Sequence, residues 1–266
     1  MSMLRRMPFS WALLACFITF SISGVAEAEP KRLALVVGVN AYPSLKIFSK
    51  RTSQYKTVNL ANPENDVISV EEALRSMGFI PKLLLGSRGE ARRDTILTAW
   101  SDMLAEVGPG DTVLFYFAGH GVELKGRNFL IPQDATYDSE AGERLPELTR
   151  SSVDFQHLVD DLGVIQTKFS SAVGVFIIDA CRENIFREDE KISPDLPDGL
   201  KAILPPREMF IMYSAGIQQG ALDGAPGSGH SLYAQHLLDM LKSEKRDWPL
   251  SLIAQTLRID VYKEAL

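Results

Sequence analysis

The sequence predicts an α/β fold, a three-layer α/β/α sandwich with a mostly parallel central sheet. Short, continuous apolar runs rich in β-branched and aromatic residues recur along the chain, as strands buried on both faces require. Amphipathic helical patterns separate them, and alternating strands and helices give an open parallel sheet covered on both faces. Two turns of chemical interest lie at the carboxyl ends of predicted strands, where sites form in such sheets. The 266 residues suit one domain of this kind.

Residues 33–39 (LALVVGV) are the first predicted strand, and the polar stretch 40–61 reads as a surface loop. A helix begins near Asn62-Pro63, because Asn caps and Pro suits a first turn. Val67, Val70, Ala73, Leu74 and Met77 then recur at helical spacing, and Gly78 ends the helix. Residues 79–85 are the second strand and 95–107 the second helix. Residues 112–118 (TVLFYFA) are the third strand, with His120 just beyond its end. Residues 129–132 form a brief extended piece before the polar loop 133–150. A helix follows at 151–162, with Phe155, Leu158, Val159 and Leu162 on its inner face. The fourth strand, 173–179, delivers Cys181. Residues 182–208 are a charged, Pro-rich connection, longer than an ordinary structureless link. Met209–Tyr213 is the fifth strand, 214–229 a Gly-rich loop, and Leu232–Leu241 and 252–261 are amphipathic helices. The helical pattern runs on to Leu266, as in a chain that continues further.

The 28 basic and 34 acidic side chains give a net charge of −6 with no basic stripe, which argues against nucleic acid as a partner. The first 28 residues read as an export signal. Arg5 and Arg6 give the positive start, 11–22 the apolar centre, and Val25-Ala26-Glu27-Ala28 the small-x-small pattern read before cleavage after Ala28. The apolar centre is shorter than the ~20 residues of a spanning helix. The mature protein, 29–266, is therefore expected to be periplasmic or secreted, with no membrane span. An alternative, lipid attachment at Cys16 of Leu13-Leu14-Ala15-Cys16, is opposed by the apolar run that continues past it. Removing Arg5, Arg6 and Glu27 leaves 26 basic and 33 acidic side chains and a single cysteine, Cys181. A lone thiol cannot close an internal disulfide, so reactivity is the better expectation.

A thiol is a strong nucleophile once a histidine takes its proton. One strand end offers Cys181 and another His120. Because each sits at the end of a buried strand within a tight small-residue turn, a reactive pair is favoured over the alternative of a buried structural thiol and an ordinary turn histidine. Attack on an amide carbonyl develops an oxyanion. The backbone amides of Gly121 and Cys181 are the natural donors, since glycine lets backbone come close.

Tyr116-Phe117-Ala118-Gly119-His120-Gly121 and Asp179-Ala180-Cys181-Arg182 resemble the histidine and cysteine motifs of caspase-like peptidases. Their spacing of 61 residues is near the ~50 of caspases. Residues 33–40, 62–66, 129–134 and 214–223 are similar to the same family, especially its bacterial metacaspase and paracaspase-like branch. The resemblance covers nearly all of 33–266. It implies the caspase-like sandwich, with a large-subunit-like part at about 31–190, a connecting loop at 182–208 and a small-subunit-like part at 209–266. It also implies a cysteine endopeptidase that acts on proteins or peptides through Cys181 and His120.

The departures bear on specificity. Asp179 stands where caspases carry Gln, and Glu183 where they carry Gly. An anionic Asp179 would repel the Asp that caspases prefer, and would favour Arg or Lys through a charge-assisted hydrogen bond. Resemblance to metacaspases implies the same role for Asp179 and adds Asp66 as a second pocket wall. Asp66 reads equally as an exposed carboxylate favoured by the first turn of its helix. Ala118 replaces the usual metacaspase Ser. By resemblance, Ser214 and Ala215 pair with the extended substrate backbone. In the family the connecting loop can be processed or lie near a calcium site. Arg187, Lys191, Lys201 and Arg207 are candidate self-cleavage points, and no dedicated calcium-loop pattern is present. No other cofactor is implied. His157 and His236, on amphipathic helices, read as surface or boundary residues, and His230, preceding a helix capped by Ser231, as local structure rather than catalysis. The predicted function is cleavage after Arg or Lys through a thioester. The rivals are a non-catalytic peptide-binding domain of the same fold and a hydrolase of another acyl substrate.

Overall fold

The structure, a computed structural model, describes residues 29–49, 52–56, 58–139, 145–181, 200–205, 208–214 and 229–264, with Leu145 and Cys181 described as backbone only. Expectations on the export signal, Cys16, Arg187, Lys191, Arg207, Ala215 and Leu266 fall outside the described residues. The elements run β1 (Arg32–Gly38), β2 (Leu45–Ser49), β3 (Gln54–Lys56), α1 (Pro63–Ser76), β4 (Ile80–Leu85), α2 (Arg93–Ala105), β5 (Thr112–Leu124), β6 (Arg127–Leu130), β7 (Tyr137–Asp138), α3 (Leu145–Ser151), β8 (Val153–Asp154), α4 (Phe155–Lys168), β9 (Val173–Cys181), β10 (Met209–Tyr213), α5 (Leu232–Leu241) and α6 (Leu250–Glu264).

The five long apolar runs form one parallel sheet in the order β10-β9-β5-β1-β4. Beyond its parallel part, β5 pairs antiparallel with β6, which pairs antiparallel with β8. Successive strand residues face opposite layers. Phe115, Phe176 and Leu35 join Trp100, Phe155 and Leu158 of α2 and α4 on one side. Val36, Tyr116 and Ile177 join Val67, Leu74, Leu237 and Ile253 of α1, α5 and α6 on the other. Both layers press closely on the sheet. A Cβ at Gly38 would strike Val67 of α1, and one at Gly174 would lie 2.5 Å from Leu162 Cδ2 of α4.

Several expectations need correction. The stretch 40–61 is not a plain loop. Its β2 and β3 form a hairpin, and β2 also pairs with β7 in a second, three-stranded sheet. Alternating Leu45 and Ile47, both buried, explain why this polar stretch holds a strand. The loop 133–150 contains β7 and most of α3. The helix expected at 151–162 is α4, which starts at Phe155 because the Asp154 side chain accepts from the Gln156 amide at 3.1 Å. Asn62 closes the first turn of α1 through its carbonyl, which accepts from the Asp66 amide at 2.9 Å, and not through its side chain. Finally, β5 does not stop at Ala118 but runs to Leu124, so His120 sits inside a strand.

Candidate active site

The parallel ladder between β5 and β9 starts at Thr112↔Val173 and ends on the pair His120↔Cys181. Neighbouring strands lie about 4.8 Å apart, so the backbones of these two residues stand side by side. The imidazole of His120 is buried, with Nε2 2.5 Å from the Val58 carbonyl oxygen. A carbonyl only accepts, so Nε2 carries the proton and Nδ1 is the basic nitrogen of the neutral ring. The Tyr42 ring lies against the imidazole, with centroids 4.7 Å apart. Its hydroxyl accepts from the His120 amide at 2.7 Å and donates to the Val39 carbonyl at 3.3 Å. Gly119 is required here, because a Cβ would stand 2.6 Å from that hydroxyl.

The Ile131 amide donates to the His120 carbonyl at 2.9 Å, which sets β6 along one edge of β5. Backbone groups alternate edges along a strand, so the Gly121 amide is turned to the opposite edge, toward β9. A Cβ at Gly121 would lie 3.1 Å from Leu200 Cδ2 and 3.2 Å from the Ala180 Cβ.

On the α1/α5 side of the sheet, two carboxylates are buried together. Asp179 Oδ2 accepts from the Tyr116 and Ser231 hydroxyls, each at 3.1 Å. Asp66 accepts from the Ser231 amide at 3.1 and 3.3 Å, and its Oδ1 lies 2.9 Å from His230 Nδ1. The His230 Nε2 is 3.5 Å from the Ser69 hydroxyl. Burial, followed by the negative Asp66, pushes Asp179 up to about 7, and burial also raises Asp66. Burial and the Asp179 charge raise both Tyr116 and Tyr233. Among the described residues no Arg or Lys pairs with either carboxylate. Ser214 closes β10 with its amide donating to the Ile178 carbonyl at 3.0 Å. Its hydroxyl acts on Asp179 while falling short of hydrogen-bond geometry.

Asp66 is 1% exposed, so the reading of it as an exposed carboxylate is wrong. The structure brings Asp66 and Asp179 together, and sets His120 beside Cys181. Sequence reasoning missed Tyr42, Val58, Tyr116 and His230 as contributors. His230, expected as local structure, lies against the Asp66 carboxylate from 164 positions away. Ser231 is the cap of α5 as expected, its hydroxyl accepting from the Ala234 amide at 3.1 Å, and it also donates to Asp179 and Asp66. Lys201 is backbone-bonded to the Asn128 side chain in both directions at 2.7 Å. His157 stands exposed beside Asp161, and His236 lies 2.9 Å from Glu264. Among the described residues no group of three or more His, Cys, Asp or Glu side chains is arranged to hold a metal ion. Among them too, no helix is long and apolar enough to cross a membrane.

A crystal structure of a protein from Geobacter sulfurreducens shares the fold, with a TM-score of 0.52 at 16% identity over 80% of this chain and 82% of that one. No curated protein matches the chain. The family model for the caspase domain of C14 peptidases matches residues 31–265, which agrees with a parallel sheet that ends its central ladder on a histidine and a cysteine. The chain belongs to the caspase-domain family of cysteine peptidases.

Proposed function

We propose that this chain is an endopeptidase that cleaves after Arg or Lys, with Cys181 as nucleophile and His120 as general base. The observation that carries the reading is the register pair His120↔Cys181 in a chain of the caspase-domain family. His120 Nδ1 takes the thiol proton, and the thiolate sulfur attacks the substrate carbonyl carbon. The Gly121 and Cys181 amides hold the resulting oxyanion. The imidazolium then protonates the departing amine as the C–N bond breaks, leaving a thioester on Cys181. Water, giving a proton to His120, attacks the thioester and releases the carboxylate and the thiol.

The preference for a cation rests on Asp66 and Asp179, a buried pair of like charges supplied with hydroxyl and amide donors but with no Lys or Arg among the described residues. A guanidinium or ammonium group would relieve the repulsion between them. Ser214 and Ala215 would pair with the substrate backbone, and the export signal would place the activity in the periplasm or outside the cell.

Purified protein assayed on fluorogenic peptides ending in Arg, Lys or Asp tests the reading. Cleavage after Arg and Lys, abolished in Cys181→Ala and reduced at least a hundredfold in His120→Ala, is expected. A preference for Asp, or activity that survives Cys181→Ala, would overturn it.

A further inference from the structure

We infer that Tyr42 is a positioning residue for His120, fixing both its backbone and the plane of its ring; this rests on the reading of His120 as the base. The ladder between β5 and β6 has a gap at His120. Where β5 meets β6, the His120 carbonyl accepts from the Ile131 amide in ordinary antiparallel fashion. The His120 amide, however, donates to the Tyr42 hydroxyl at 2.7 Å. A side chain has taken the place of a strand at the one position that carries the imidazole.

That hydroxyl is itself anchored. It donates to the Val39 carbonyl at 3.3 Å, and the Val39 amide donates to the Ala118 carbonyl at 3.0 Å. The residues on either side of Gly119 are thus tied to one residue, Val39, at the end of β1. Gly119 leaves room for the linkage, since any Cβ there would collide with the Tyr42 oxygen. The same Tyr42 ring lies against the imidazole at 4.7 Å and 39°, while the Val58 carbonyl holds Nε2. One contact sets the ring plane and the other its edge. Both also favour the imidazolium formed when the thiol gives up its proton: the carbonyl as acceptor, and the ring through its negative face. Tyr42 is 3% exposed, so a core-filling role alone would explain its burial. It would not explain a buried hydroxyl spent on the amide of His120.

The test compares wild type, Tyr42→Phe, Tyr42→Leu and His120→Ala in two ways. One is steady-state cleavage of an Arg peptide, normalised to active sites. The other is the iodoacetamide alkylation rate of Cys181 at neutral pH, read on its peptide by mass spectrometry so that Cys16 does not interfere. Expected in Tyr42→Phe is a kcat about ten- to a hundredfold lower with KM within about twofold, since small misplacements of a catalytic group cost on this scale. Tyr42→Leu, which also loses the ring, is expected to be slower still, with Cys181 alkylated severalfold more slowly than in wild type. An unchanged kcat and alkylation rate in both variants, or a lowered Tm with kcat per active site unchanged, overturns the inference. Full activity in His120→Ala overturns the reading of the site and the inference with it. The alkylation rate needs no substrate, so a wrong substrate class does not mask the result.

Discussion

Asp179 is charged only at a cost, because its carboxyl is buried and faces a second carboxylate. The unfolded chain releases this proton near 3.8, whereas the folded chain keeps it until about 7. Between those values the folded state binds more protons, so its stability falls as pH rises and levels off above about 7. Asp179→Asn removes that loss. The Tm of the variant is expected to exceed that of wild type at pH 8 and to converge with it near pH 4, a comparison made by thermal scans across pH. For Arg peptides, kcat/KM of the wild type should rise through the region near 7 as the carboxyl ionises, and Asp179→Asn should lose that rise along with most of the activity. His230 acts on the neighbouring carboxylate: its hydrogen bond is the leading influence holding Asp66 down against burial. A hydrogen bond to a charged group is worth ~1.5–3 kcal/mol, so His230→Ala should raise KM for Arg peptides about ten- to a hundredfold with kcat little changed. Steady-state kinetics separate the two. Asp66 is buried, so losing this partner should lower Tm as well, and the kinetic comparison is made well below the midpoint of the variant.

Elements that announce themselves by apolar runs were legible from sequence. β10 and α5 fall at their expected bounds, and β1, β4 and β9 within two residues of theirs. β5 extends past its expected end because Gly119 and Gly121, which read as punctuation, admit the Tyr42 hydroxyl and the Leu200 side chain in the fold. The two-residue strands β7 and β8 are too short to carry a period. The buried carboxylate cluster was half legible: Asp66 and Asp179 came from motifs, but Tyr116 hides inside an apolar run and His230 and Ser231 lie more than 160 positions from Asp66. No local pattern reports such contacts. Asn128 shows what one side chain of an element does at a distance, since β6 holds the segment at Lys201 through its amide alone in two short bonds. Asn128→Ala is expected to destabilise by about 1–3 kcal/mol, as both Lys201 backbone groups lose their partner. Limited trypsin digestion should then cut after Lys201 faster than in wild type.

At the scale of the whole molecule, one sheet separates two apolar layers that share every central strand, so the layers should unfold together. Trp100 is buried against Phe115 and Phe176 on the α2/α4 side. Its emission and far-UV circular dichroism are expected to change at one midpoint on heating. Phe176→Ala should lower that midpoint while keeping the traces coincident, with a cost of ~3–5 kcal/mol, a large share of a typical domain's stability. The same sharing has a consequence for any molecule whose backbone is cut between Cys181 and Leu200. The N-terminal piece would keep Cys181, His120, Tyr42, Val58 and Asp66, but Ser231 and His230 would belong to the other piece. The two would be joined by the ladder from Met209↔Gly174 to Tyr213↔Ile178 and by the packing of α5 on α1. Neither half alone holds both carboxylates together with Ser231 and His230. A nicked chain is therefore a heterodimer, and dilution or exchange of its fragments is expected to alter the proposed preference for Arg or Lys in a way that the intact chain does not allow.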